Sequence, residues 1–385
     1  GFNVSATDYT CQFSLGHRQM QSPGNATSST TLHCKVPAWG LAYPAFDERV
    51  KVNLLKGDMR LDYTGGGFES VMCGASDEAC SFGFYPVWNS SGVEAPGGLE
   101  GSAGGGKTLK ILGYGFNPSL HYYCNFSRAD PSGGTQTAQS EVRYPTSPSE
   151  LECVTPVWKY AETSTSLSIH EKASGLALKA LDPEAVSYFL FRASWYNSSL
   201  AAVRAKGGQN IILSGYGFDP ALEYSCRFVL HHEDGVGANY RDSLLLDTVE
   251  FAAYSPNVTA SVSGFTCSMP QWLYASSSVT FMVMHGAVSV SSFWRDATRF
   301  SILAGWDSID RKGSHHSRVG AASGGMVIQA QGYGFNVSAT DYTCQFSLFN
   351  ISMSVVGNVT SSTSIECQVP AWGLAYPAFD ERVKV

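Results

Sequence analysis

The chain has 385 residues, a formal net charge of −7, 44% hydrophobic residues and only 15% charged ones. That acidic balance, with no lysine–arginine run, excludes nucleic acid as a partner, because phosphates demand a basic footprint. No run of 18 apolar residues occurs, so no membrane-spanning segment is predicted in this stretch, and the length allows about two to four domains.

From the amino terminus, Tyr9, Cys11 and Phe13 alternate along a first predicted strand, which turns all three to one face of a pleated sheet. Cys34, Pro37 and Trp39 follow as Cys-x-x-Pro-x-Trp, and Phe82, Phe84 and Trp88 predict a strand that closes the unit. The same order then returns. Tyr122, Cys124 and Phe126 precede Cys153, Pro156 and Trp158, with Phe189, Phe191 and Trp195 closing. Tyr224, Cys226 and Phe228 precede Cys267, Pro270 and Trp272, with Phe300, Ile302 and Trp306 closing. Tyr342, Cys344 and Phe346 precede Cys367, Pro370 and Trp372. The phrase GYGF stands ahead of the last three copies, at Gly113, Gly215 and Gly332, and the chain opens on the GF of another.

Such internal repetition fixes the organisation before any single element does. It predicts four modules: 1–92 without its first strand, 93–199, 200–310, and 311–385 truncated at its carboxyl end. Short alternating strands punctuated by Pro and Gly-Ser-Asn clusters predict an all-β chain of tandem two-sheet sandwiches. Helical spacing is suggested only at 174–185, SGLALKALDPEA.

Residues 101–108 match the phosphate-loop pattern G-x-x-x-x-G-K-[ST], from Gly101 through Gly106, Lys107 and Thr108. The sister copies test that match. Gly106 aligns with Gly208 and Gly325, but Lys107 aligns with Gln209 and Met326, and Thr108 with Asn210 and Val327. A phosphate loop also needs a strand before it and a helix after it, whereas Leu109 and Ile111 predict a strand after this one. The glycines are read as a turn into each module's first strand, and no nucleotide partner is expected.

The ten cysteines fall as Cys11/Cys34, Cys73/Cys80, Cys124/Cys153, Cys226/Cys267 and Cys344/Cys367. Zinc sites bring Cys-x-x-Cys clusters or nearby histidines, which these spacings do not offer, so five disulfides and an oxidising compartment are expected, with no metal. Sequons with no proline at the middle position occur at Asn3, Asn25, Asn89, Asn125, Asn197, Asn257, Asn336, Asn350 and Asn358. Asn125 lies between inward Cys124 and Phe126, so it faces outward, where a covalent N-glycan can attach and supply the hydration that sparse charge does not. For catalysis the best candidates are His231, His232, Glu233 and Asp234, or His315 and His316. Neighbouring histidines alternate faces on a strand and no repeated nucleophile accompanies them, so no catalytic residue, cofactor or metal is assigned.

The order GG, GYGF, YxCxF, CxxPxW, FxF resembles the IPT/TIG family of immunoglobulin-like domains over nearly the whole chain. The resemblance implies a tandem, disulfide-bonded, extracellular and non-catalytic array of the kind found in receptor ectodomains and in algal and protist surface proteins. Trp39 and its equivalents depart from the plainer family pattern, as does the Cys73/Cys80 loop.

Residues 1–52 match 334–385 without a gap at about 40 of 52 positions, an offset of 333 residues or three modules. Both ends fall within a sandwich, which reads as a window on a longer array, with strand addition between separate chains as the alternative. The expected function is a heavily N-glycosylated structural glycoprotein of an extracellular filament or surface coat, a rod of roughly 100 Å per three modules. Its partners would be copies of itself or neighbouring modules. Tyr43, Tyr376, Trp39 and Trp372 in the identical blocks are candidate contact residues, with ordinary core packing the rival reading. A receptor or adhesin ectodomain is the alternative function, binding a protein or glycan through loops such as the stretch from Arg227 to Thr266.

Overall fold

A computed structural model describes residues 1–45, 49–61, 80–130, 133–230, 252–293, 299–312, 319–376 and 383, and every structural statement concerns these. They are almost entirely β; the only α-helices among them are the two four-residue segments Trp39–Ala42 and Trp372–Ala375. The chain divides into two compact units: Gly1–Trp158 with Glu162–Arg192, and Lys159–Ala161 with Ala193–Val385.

In the first unit, strand Tyr9–Leu15 lies between Arg18–Ala26 and Val50–Lys56, antiparallel to both. Leu32–Cys34 pairs on the far side of Arg18–Ala26. The alternation works as the sequence dictates: Tyr9, Cys11 and Phe13 are buried, and Cys11 is bonded to Cys34. The second repeat shows the sandwich in full. One sheet runs in the order Thr135–Gln139, Tyr122–Ala129, Thr163–Glu171, Tyr188–Arg192, Glu100–Ser102. The other runs Glu150–Val154, Thr108–Tyr114, Val87–Glu94, Lys179–Ala180. Leu109, Ile111 and Leu151 from one sheet and Phe126, Ile169, Phe189 and Phe191 from the other are all buried. Each such side chain contributes about 2–3 kcal/mol of transfer free energy. The Cys124–Cys153 disulfide ties the two sheets together.

In the second unit, Val288–Ser292 pairs antiparallel with Ser277–His285 and parallel with Ser194–Ser198, so the third repeat's layers are joined along one edge. Its disulfide is Cys226–Cys267. The fourth repeat has the order Gly305–Arg311, Val327–Tyr333, Ser364–Gln368, Ile351–Ser361, Thr343–Leu348, with Cys344 bonded to Cys367. The two near-identical segments fold alike: Cys11 faces Ser22 and Gly24 faces Cys34, as Cys344 faces Val355 and Gly357 faces Cys367.

Three expectations are corrected. The closing strand is two strands: Tyr188–Arg192 completes the sheet behind it, while Ser194–Ser198, carrying Trp195, pairs with Asn210–Tyr216 of the next repeat. Val87–Glu94 with Trp88 and Gly305–Arg311 with Trp306 likewise pair forward, with Thr108–Tyr114 and Val327–Tyr333. Residues 174–185 are not helical. Lys179–Ala180 pairs with Val87–Trp88 and the Leu178 N–H donates to Ile169 O, while Leu176 and Leu181 are exposed. So short a segment cannot sustain the cost of helix nucleation when a sheet edge satisfies its backbone. Third, Trp39 and Trp372 are core, not contact surface, and Trp158 and Trp272 are fully buried with them. Trp39 stacks on Phe84 with centroids 5.4 Å apart and Trp158 on Phe191 at 5.1 Å, which is the packing role of the Cys-x-x-Pro-x-Trp element.

Candidate functional site: a recurring corner and the joint it makes

Every repeat builds the same corner after its GF. A short polar residue follows the phenylalanine: Asn3, Asn117, Asp219 or Asn336. Its side-chain Oδ1 accepts the backbone N–H two residues on, from Ser5, Ser119, Ala221 and Ser338 respectively, at 2.9–3.0 Å. Its own backbone N–H donates to the hydroxyl of the strand tyrosine: Tyr9 at 2.8 Å, Tyr122 at 3.2 Å, Tyr224 at 3.0 Å and Tyr342 at 3.2 Å. The tyrosine thus fills the core with its ring and satisfies a turn amide with its tip. Burial raises the pKa of Tyr122 above the ordinary phenol value; the Asn117 N–H opposes this and the Glu171 charge adds to it.

The glycine pair ahead of each first strand has a packing role. Gly105, Gly207 and Gly324 sit at φ of +77°, +79° and +70°. A Cβ on any of them would lie 2.6–2.7 Å from the carbonyl carbon of Pro156, Pro270 or Pro370. The loop resembling a phosphate cradle spends its groups internally. The Gly106 N–H donates to Thr155 O, the Lys107 N–H to Thr155 Oγ1, and Lys107 Nζ to the carbonyls of Gly98 and Glu100. Thr108 then opens a strand, not a helix.

Inside the first unit this corner makes a joint. The Gly115 N–H donates to Gly40 O and the Ala45 N–H donates to Gly115 O, each at 2.9 Å. The fit is tight: a Cβ on Gly40 would lie 2.4 Å from Gly115 N, and one on Gly115 would lie 2.8 Å from Ala45 Cβ. Inside the second unit the equivalent Gly334 accepts the Ser276 N–H at 2.7 Å, and a Cβ there would lie 2.9 Å from Ala205 Cβ. The identical sequence WGLAYPA carries the joint at 39–45 and recurs at 372–378. Sequence reasoning missed both the tyrosine–amide bond and the joint; the signal available was the invariance of the tyrosine and of that block within the chain.

Of the nine sequon asparagines, Asn3, Asn25, Asn197, Asn257, Asn336, Asn350 and Asn358 are exposed, while Asn89 and Asn125 are half-buried. Asn89 accepts both the N–H and the hydroxyl of Ser91. Asn125 lies on the outer face of a strand whose inner face is Tyr122, Cys124 and Phe126. Four of the five expected cysteine pairs are disulfides. Cys80 is disulfide-bonded, and Cys73 lies outside the described residues. Such bridges require an oxidising compartment.

The candidates for catalysis, His231, His232, Glu233, Asp234, His315 and His316, also lie outside the described residues. Among the described residues no group of three His, Cys, Asp or Glu is placed to hold a metal ion, and no helix is long and apolar enough to cross a membrane. The shifted lysines belong to exposed ion pairs. Glu150 raises the pKa of Lys110 by hydrogen bond and charge across 2.6 Å, and Asp307 does the same for Lys206 across 2.8 Å.

No family model matches the sequence. Nor does any curated protein. Among solved structures, the chain is similar to a tetra-tandem repeat in the extending region of a large adhesion protein, at 8% identity, covering 96% of this chain and 85% of that one with a TM-score of 0.22. It is also similar to the chicken CNTN1 FN1–FN3 domains, at 12% identity, covering 77% and 89% with a TM-score of 0.18. The sheets, disulfides and cores described above make this a chain of tandem immunoglobulin-like β-sandwich repeats.

Proposed function

We propose that the chain is a non-catalytic structural glycoprotein, built from tandem modules of the IPT/TIG type and forming an extracellular filament or surface coat. Its partners are neighbouring modules or copies of itself, and N-glycans cover Asn3, Asn25, Asn89, Asn125, Asn197, Asn257, Asn336, Asn350 and Asn358. Cys73 and Cys80 form its fifth disulfide. The sequence repeats 1–92, 93–199, 200–310 and 311–385 are its units, with each Trp-bearing boundary strand packed into the unit that follows. One observation carries this reading: a corner repeated four times is used twice as a backbone-bonded joint, at Gly115 and Gly334, which is what a chain selected for display or connection requires. Near-identical repeats 333 residues apart then offer identical contact surfaces along such an array.

Imaging of native material recovered with an antibody against residues 36–52 tests the proposal. A beaded filament with a three-module repeat and sugar density on the modules is expected. Isolated particles carrying a few modules and a membrane anchor would favour instead a receptor or adhesin ectodomain. The 21-residue interval 231–251, which separates the paired strands Glu223–Leu230 and Ala252–Tyr254 and has no counterpart of that length in the other repeats, is the feature that favours that second reading.

A further inference from the structure

The outer face of the second repeat's first sheet differs from its counterparts. Tyr123, Asn125 and Ser127 point outward on strand Tyr122–Ala129, opposite the buried Tyr122, Cys124 and Phe126. The register sets Tyr123 beside His170, Asn125 beside Ser168 and Ser127 beside Ser166 on one side, and Asn125 beside Gln139 on the other. The Tyr123 and His170 rings are stacked, centroids 5.1 Å apart and 16° from parallel. Two hydrogen bonds hold the imidazole in place: Ser168 Oγ with Nε2 at 3.0 Å, and Nδ1 with Gly175 O at 3.2 Å. The Asn125 carboxamide makes no hydrogen bond among the described residues. At the same position the other repeats carry Gln12, Arg227 and Gln345, and in place of Tyr123 they carry Thr10, Ser225 and Thr343. Of the four Tyr-x-Cys-x-Phe segments, only that of the second repeat sets a sequon between the cysteine and the phenylalanine, two residues from a stacked ring pair and among hydroxyls and amides.

Side chains two apart on one strand stand about 6.6 Å from each other, roughly the reach of one sugar ring from an asparagine. The C–H face of a pyranose is apolar and packs on an aromatic ring as other apolar groups do, while its hydroxyls need uncharged donors and acceptors around it. We infer that Asn125 carries an N-linked glycan whose first N-acetylglucosamine lies on the Tyr123–His170 ring pair, making that sugar part of the folded sheet face. The inference rests on the glycoprotein reading above.

The test uses the full chain secreted from eukaryotic cells. Glycopeptide mass spectrometry is expected to find Asn125 occupied. In a cycle of Asn125→Gln, Tyr123→Ala and the double variant, each single change lowers Tm by about 3 °C and the double change lowers it by little more, because both remove one contact. Tyr123→Phe, which keeps the ring, is expected to keep the wild-type Tm. Trimming every glycan to its first sugar preserves the coupling, and complete removal abolishes it. Additive losses overturn the inference, as does coupling that survives complete sugar removal, which would report a direct Asn–Tyr contact. An empty Asn125 with other sequons occupied overturns it while leaving the glycoprotein reading standing; nine empty sequons overturn both.

Discussion

Gly40 and Gly115 touch backbone to backbone: the Gly115 N–H donates to Gly40 O at 2.9 Å, and neither glycine has room for a methyl group, which would meet Gly115 N from Gly40 and Ala45 Cβ from Gly115. Gly40→Ala would place a Cβ 2.4 Å from Gly115 N and 2.6 Å from Tyr114 C, so the joint must open. A loss of about 1–3 kcal/mol is expected in denaturant unfolding of the unit that contains it. Gly373→Ala is the matched control. There a Cβ meets the Ala322 methyl at 3.0 Å, a milder crowding that should cost less than half as much. Equal losses would show that the joint has no special tightness.

Phe349 is the one non-glycine described residue at positive φ, +51°, at the tip of the hairpin joining Thr343–Leu348 to Ile351–Ser361. The equivalent tip in the first repeat is Gly16 at φ +59°. A two-residue loop with its first residue left-handed calls for glycine there, and a side chain costs about 1–2 kcal/mol. Phe349 is also 80% exposed, so little packing is lost with it. Phe349→Gly is therefore expected to stabilise the chain by about 1 kcal/mol, read from the denaturation midpoint, and Gly16→Phe to destabilise it similarly.

Tyr122→Phe removes the acceptor of the Asn117 N–H without emptying the core. The orphaned amide predicts a loss of about 1–2 kcal/mol in thermal or chemical unfolding. A change within a few tenths would mean that the corner amide finds water.

The same phenol predicts an alkaline limit. Its pKa in the folded chain lies above that in the unfolded chain, so folding favours the neutral form. This contribution is complete below about pH 10 and is lost as pH rises through the folded pKa. Phenolate absorbance should show two late-titrating tyrosines, because burial and then Tyr196 also raise Tyr216, and Tyr122→Phe should remove one of them and flatten the stability profile above pH 10.

Replacing Cys124 and Cys153 together by serine opens a bridge spanning 29 residues and is expected to cost about 3–4 kcal/mol. The bridge spanning 41 residues between Cys226 and Cys267 should cost only a few tenths more, because the entropy grows with the logarithm of the span. Calorimetry of the two double variants distinguishes this from a cost set by local packing.

The sandwich core was legible because it depends on local alternation. Tyr122, Cys124 and Phe126 declare an inward face at every second residue, and the glycine pairs declare their turns. What depends on strand partners was not legible. Trp195 follows Phe191 by four residues, yet the two side chains belong to different sheets, and nothing within four residues says where a strand will pair. Leu176, Leu178 and Leu181 imitate helical spacing because the segment lies along an edge, where no second layer enforces strict alternation. Trp39 lay in an identical block and so invited a surface role, whereas its indole is fixed against Phe84 some 45 residues away in sequence, beyond the reach of any local pattern. The tyrosine hydroxyls were invisible for a similar reason: a ring that alternates inward says nothing of what its tip meets.

The crossing at Ala304 has a mechanical consequence. Strand Arg299–Leu303 ends one sheet and Gly305–Arg311 begins the next, with a single residue between them. A pull along the chain at that point finds about 3.5 Å of slack before it loads hydrogen-bonded strands on both sides. Such a connection cannot stretch like a spring. It holds its length under force until a whole sandwich gives way.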